Sequence, residues 1–279
     1  MIQLGIRLHD ATEGTLMQRA ASVRKQGFVC VHLALSKAVK DFPKGNGALT
    51  PGLAMHIRHI FEREGLDIAV LGCYKNLAEP DESLLRQIQS TYYAHIRFAS
   101  LLGCGVVGTE TGAPNHEYRY ETSCHSEEAL GTFMRHLAPV VRCAEDFGVV
   151  LAIEPVWNHI VWNPKRALCV LRTMASENLR IIFDPVNLLS MENYMKRDAV
   201  IEEALDLLGE YISVVHIKDF NVDHDKLVST AAGNGIMDYK RIIRYLKKEK
   251  PFIQETLENT SPDNAESARK FIQDVYDDA

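Results

Sequence analysis

Two tryptophans are all that this 279-residue chain carries, and no two of its six cysteines form a CxxC pair. Cys30, Cys73, Cys104, Cys124, Cys143 and Cys169 are scattered through apolar runs, unlike the dense disulfide framework of a small secreted domain. No window approaches 18 uninterrupted apolar residues, so no membrane helix is expected. The opening segment Met1-Ile-Gln-Leu-Gly-Ile-Arg has no basic stretch ahead of a long apolar one, so no signal peptide is read there. Basic excess is missing too. The 31 Lys and Arg against 37 Asp and Glu leave a formal charge of −6, which suits neither nucleic acid nor anionic lipid. Phosphate-loop signatures are absent, since Gly233-Asn-Gly235 is not GxxxxGKS/T and no GxGxxG opens a helix after a strand. What remains is ordinary globular composition, 46% apolar and 24% charged, expected in a reduced cytoplasmic compartment.

The informative pattern is alternation. Short apolar or β-branched runs fall at 3–8, 28–35, 66–71, 105–109, 149–153, 179–183, 212–215 and 252–254. Between them, the segments 15–26, 53–64, 82–102, 127–147, 164–175, 198–208, 239–248 and 264–275 carry apolar residues three and four apart. Gly27, Gly65, Gly103 and Gly148 follow helical segments just before strands, where a left-handed helix end favours glycine. Eight βα units of about 35 residues imply a parallel sheet between helices, and eight is the number that closes a barrel. No linker or composition shift divides the chain. The expected fold is therefore α/β, a single (β/α)8 TIM barrel over residues 1–279.

In such barrels the chemistry sits at the C-terminal strand ends. Here the last four strands read Ile-Glu154-Pro155, Phe-Asp184-Pro185, His216-Ile-Lys218-Asp219 and Phe-Ile-Gln-Glu255. Their ionisable ends are spaced by 30, 32 and 39 residues, one per βα unit. An ionisable group ending an apolar strand is costly to bury unless it is paired or bound to a cation. Any one of them could be an ordinary polar strand end. Three carboxylates and an imidazole at equivalent positions instead point to one divalent cation held by Glu154, Asp184, His216 and Glu255. The mixed donors favour Mn²⁺, with Mg²⁺, Co²⁺ and Zn²⁺ also compatible.

These segments, with Gly233-Asn-Gly235-Ile-Met-Asp238-Tyr and Cys73-Tyr74-Lys75-Asn76-Leu77, resemble the xylose isomerase-like TIM barrels, the sugar (phosphate) isomerase/epimerase group. The resemblance spans essentially the whole chain and implies a metal-dependent isomerase or epimerase. By the same resemblance Glu154 and Glu255 would also be the catalytic acid/base pair, exchanging a substrate proton through a cis-enediolate. Two positions depart from the ketose 3-epimerases of that group. Asn187 stands where they carry histidine, and Lys218-Asp219-Phe220-Asn221 stands where an arginine follows.

Around the quartet, His159, Asn187, Lys218, Glu110 and Tyr74 are candidate substrate contacts, each weighed against simple loop structure or an ion pair. His9 and His32 read as satisfied polar groups rather than ligands. Asn76 and Asn115 divide evenly between substrate contact and loop structure. The basic run 240–250 has the spacing of a solvated helix face. The expected partner is a small sugar, sugar phosphate or cyclitol, with no nucleic acid and no membrane; homo-oligomerisation stays open. The rivals are an inosose-type dehydratase or isomerase, a zinc-dependent DNA-repair endonuclease of the same superfamily, and a non-catalytic sugar-binding barrel.

Overall fold

The structure is a computed structural model and describes residues 2–39 and 45–279. Its strands are β1 (Gln3–Arg7), β2 (Cys30–Leu33), β3 (Asp67–Gly72), β4 (Val106–Glu110), β5 (Val150–Glu154), β6 (Leu179–Phe183), β7 (Ile212–Ile217), β8 (Asp219–Asp223), β9 (Lys226–Thr230) and β10 (Gln254–Leu257). The helices are α1 (Leu8–Ala11), α2 (Leu16–Lys25), α3 (Leu35–Ala38), α4 (Pro51–Glu64), α5 (Glu82–Leu102), α6 (Glu127–Phe147), α7 (Pro164–Met174), α8 (Arg197–Leu208), α9 (Lys240–Glu249) and α10 (Ala265–Asp278). Eight parallel strands close in the order β1-β10-β7-β6-β5-β4-β3-β2, with helices outside. The fold is the expected (β/α)8 barrel.

Local chemistry sets the helix limits. Thr15, Thr50, Asp81, Ser126 and Asn163 each accept a backbone N–H in the first turn of α2, α4, α5, α6 and α7, satisfying donors that a helix start leaves free. At the other ends, Gly103 and Gly148 adopt φ of 79° and 62°, the left-handed turn that returns the chain to a strand.

Strand alternation sorts side chains between two layers. Outward residues such as Leu4, Ile153, Val215 and Leu257 join the large core under the helices. Inward, Cys30, Val70, Ala152, Ile182 and Val214 form a smaller cluster. Gly108 is the close approach in that interior, since a Cβ there would stand 2.7 Å from both Val70 Cγ1 and Ile182 Cδ1. This apolar plug is the floor on which the polar C-terminal layer rests.

Two features depart from the sequence expectation. The last barrel strand is 254–257, later than the expected 252–254, and Phe252 is 85% exposed. In addition, β8 and β9 form an antiparallel hairpin between the seventh and eighth barrel strands. Asp219 anchors it: its carboxylate accepts the backbone N–H of Phe220 and Met237 at 2.8 Å and of Gly233 at 3.1 Å.

Candidate active site

Parity along each strand decides which groups reach the mouth. Glu110 registers beside Glu154, and Thr256 beside His216, so all four share the inward face. Asp184 follows β6 directly, and Glu258 follows β10. The backbone N–H groups of Val186 and Asn187 hold Asp184 Oδ1 at 2.9 and 3.1 Å, leaving Oδ2 to face Lys218 Nζ at 2.8 Å. His216 Nδ1 lies 3.3 Å from Glu154 Oε1 and 3.4 Å from Glu258 Oε1. The ligand atoms of Glu154, Asp184 and His216 all fall within 4.8 Å of one another, and those of His32, His216 and Glu258 do the same. All five residues are buried.

Glu255 does not join them. Its register partners are Leu4 and Val215, members of the helix-side core, so its carboxyl enters the apolar layer behind the strand. The acid that does reach the cluster is Glu258, three residues on and therefore of opposite parity. A signal was available in the sequence. The run Gln254-Glu255-Thr256-Leu257-Glu258 holds two acids of opposite parity, and the later one stands just past the strand end.

The electrostatics follow from burial and neighbours. Burial opposes charge on His216, yet Glu154, Glu258 and Asp184 raise its imidazole to about 9. Burial would raise Glu258, but His216, Lys218, Arg7 and His32 hold it well below the usual carboxylate range. Asp184 is pushed up by burial, with Lys218 as its counter-charge. The Lys218 ammonium, despite burial, is held up by Asp184, Glu258 and Glu154. His32 is kept neutral by burial and by His216, on which it stacks with centroids 5.1 Å apart.

The remaining candidates ring this centre. Asn187 Nδ2 donates to Glu154 Oε1 at 2.7 Å. Lys218 also lies 3.5 Å from Glu258 Oε2. Tyr74 Oη is 3.5 Å from His32 Nε2. Tyr118 Oη donates to Glu110 Oε2 at 3.0 Å, and His159 Nδ1 lies 4.0 Å from that oxygen with burial lowering its pKa to about 4. Asn76 is loop structure, its amide donating to the carbonyls of Ala113 and Asn115 at 2.9 Å. Glu258, Arg7 and Tyr118 are site residues that no sequence pattern singled out, and His32, expected as a satisfied polar group, stands with them; Arg7 Nη1 lies 3.5 Å from Glu258 Oε1.

A divalent cation suits this donor set. Three carboxylates supply hard oxygens, and the His216 imidazole turns Nδ1 toward Glu154 and Glu258 as a nitrogen donor beside them. Lys218 and the proton on His216 supply positive charge among the same carboxylates, so a bound cation would displace some of it.

A family model described as xylose isomerase-like TIM barrel matches residues 20–275. Among solved structures, 3-keto-D-glucoside 4-epimerase, YcjR, from E. coli in its apo form is 12% identical, with TM-score 0.75 and 99% of each chain covered. The IolI protein with a bound zinc atom is 17% identical, again with TM-score 0.75 and 99% of each chain covered. A xylose isomerase-like TIM barrel protein from Mycobacterium smegmatis in complex with magnesium is 16% identical, with TM-score 0.70, covering 99% of this chain and 96% of that one. No curated protein sequence matches.

Proposed function

The chain belongs to the xylose isomerase-like TIM-barrel family, and we propose that it is a divalent-metal-dependent isomerase or epimerase of sugar-like substrates. The observation that carries this reading is the buried convergence of Glu154, Asp184 and His216 within 4.8 Å, with Glu258 against the same imidazole. Those four residues would hold the cation, with Glu258 in the place the sequence reading gave to Glu255. When bound, the cation polarises a substrate carbonyl and lowers the cost of removing a proton from the adjacent carbon.

The protein's own groups would do the rest. Glu154 and Glu258 flank His216 from two different strands, so one carboxylate can take the proton and the other return it, through a cis-enediolate. Asn187 fixes the orientation of Glu154. Lys218 stays an ammonium, which makes it a partner for developing negative charge rather than a proton donor. Glu110, Tyr118 and His159 offer hydrogen bonds to substrate hydroxyls at the mouth.

An inosose-type dehydratase is the second reading. Loss of water needs an acid at the departing hydroxyl, and Glu110, whose carboxyl burial pushes up, is the group suited to it, with His159 4.0 Å away. The nuclease reading has less support, because Asn187 is committed to Glu154 and the chain carries −6.

The test is incubation of the Mn²⁺-loaded protein in D₂O with a panel of ketoses, ketose phosphates and inososes. The expected result is an epimer or isomer carrying solvent deuterium on the carbon next to the carbonyl. Turnover without deuterium at that carbon would remove the enediolate.

A further inference from the structure

His32 is not the satisfied polar group that its sequence context suggests. It is 1% exposed, near the C-terminal end of β2, two residues after Cys30 of the barrel interior and in register with Arg7 on β1. The ladder to β3 skips a residue just before it, with Val31 facing Ile68 and His32 facing Val70. Irregularities of this kind re-aim a side chain and are frequent beside active sites. Gly72 leaves room for the ring, since a Cβ there would stand 2.8 Å from His32 Nε2 and 2.9 Å from Tyr74 Cε2.

The two ring nitrogens have different surroundings. Nε2 meets Tyr74 Oη at 3.5 Å. Nδ1 is buried and has no hydrogen-bond partner among the described residues. It faces Glu258 Oε1 at 4.0 Å, beyond hydrogen-bond reach, and that same oxygen stands 3.4 Å from His216 Nδ1. A buried nitrogen left unpaired is costly. Two ligands that each stand about 2.0–2.2 Å from one ion lie roughly 3–4 Å apart, so a shared cation accounts for this spacing where a hydrogen bond does not. The donor atoms of His32, His216 and Glu258 all lie within 4.8 Å of one another.

We propose that His32 Nδ1 is a further ligand of the cation held by Glu154, Asp184, His216 and Glu258, with Tyr74 orienting the ring through Nε2. The inference rests on the metal-dependent reading above and adds a residue to that site. Metal-bound histidines ordinarily engage their second nitrogen in a hydrogen bond, which fixes the ring and the tautomer. Tyr74 is placed for that task. Two imidazoles among three carboxylates also move the metal preference away from Mg²⁺, which suits oxygen donors, toward Zn²⁺ and Co²⁺.

Two measurements test this without a substrate. In ¹⁵N-histidine-labelled protein given one equivalent of Zn²⁺, NMR should show two imidazoles with a metal-bound nitrogen, and only one in His32→Phe. Phenylalanine keeps a ring to stack on His216 and removes the nitrogen. Calorimetric titration should show Zn²⁺ affinity falling at least about tenfold in His32→Phe, with a smaller loss for Mg²⁺. Tyr74→Phe should lose part of the same Zn²⁺ affinity. A single metal-bound imidazole in the wild type overturns the proposal, and that result stands even if His32→Phe fails to fold. Two that persist in His32→Phe, undiminished Zn²⁺ affinity, or equal losses for both ions also overturn it. Zinc bound through His216 alone ends the role of His32 and leaves the metal-dependent reading intact, whereas a wild type that takes up neither ion overturns both.

Discussion

The side-chain amide of Asn187 donates to Glu154 Oε1 at 2.7 Å while its backbone N–H donates to Asp184 Oδ1 at 3.1 Å, so one residue positions two of the candidate ligands. Removing the amide frees the Glu154 carboxylate without deleting it. Partners of this kind typically change metal affinity or activity by about 10–100-fold. Asn187→Ala is expected to lose turnover within that range and remain folded. A variant with wild-type kinetics would show that the amide does not set the geometry.

Asp219, although beside Lys218, holds structure rather than chemistry. Three backbone N–H groups depend on its carboxylate to fasten the β8–β9 hairpin and the following loop. Asp219→Ala should cost about 3 kcal/mol of unfolding free energy, because buried donors lose their acceptor. Urea denaturation measures it, and a loss below about 1 kcal/mol would contradict the anchoring role.

Glu255 should make stability depend on pH. Burial alone raises its carboxyl to about 8 from an ordinary 4.5. Between those values the native state keeps a proton that the unfolded chain releases, so stability falls as pH rises, by at most about 1.4 kcal/mol per unit. The decline ends above the folded pKa. Glu255→Gln cannot ionise, so the variant should gain on wild type as pH rises from about 6 to about 8. Urea unfolding at both pH values tests this; a constant difference would contradict it.

Much of the fold was readable because each barrel strand is a short apolar run between amphipathic helices, and that pattern survives in one sequence. Glu154, Asp184 and His216 were readable for a related reason, as polar residues ending such runs. Glu255 misled because hydrophobicity marks where a strand begins better than where it stops. The run at 252–254 includes the exposed Phe252, and the ladder continues through Thr256 and Leu257. Three further residues reverse the face and exchange Glu255 for Glu258. His32 was hidden differently: an imidazole inside an apolar strand is indistinguishable from a buried polar filler until His216 is found stacked on it. The β8–β9 hairpin was lost because its strands are short and mostly solvent-facing: Phe220 and Leu227 reach the core, while Val222 and Val228 stay exposed.

The central claim is that Glu258, and not Glu255, completes a metal centre with Glu154, Asp184 and His216. Calorimetric titration of Mn²⁺ into the wild type, Glu258→Gln and Glu255→Gln tests it without knowledge of the substrate. The account predicts that the wild type binds one ion, that Glu258→Gln weakens binding at least about tenfold, and that Glu255→Gln binds as the wild type does. Undiminished affinity in Glu258→Gln, or a loss confined to Glu255→Gln, would contradict it.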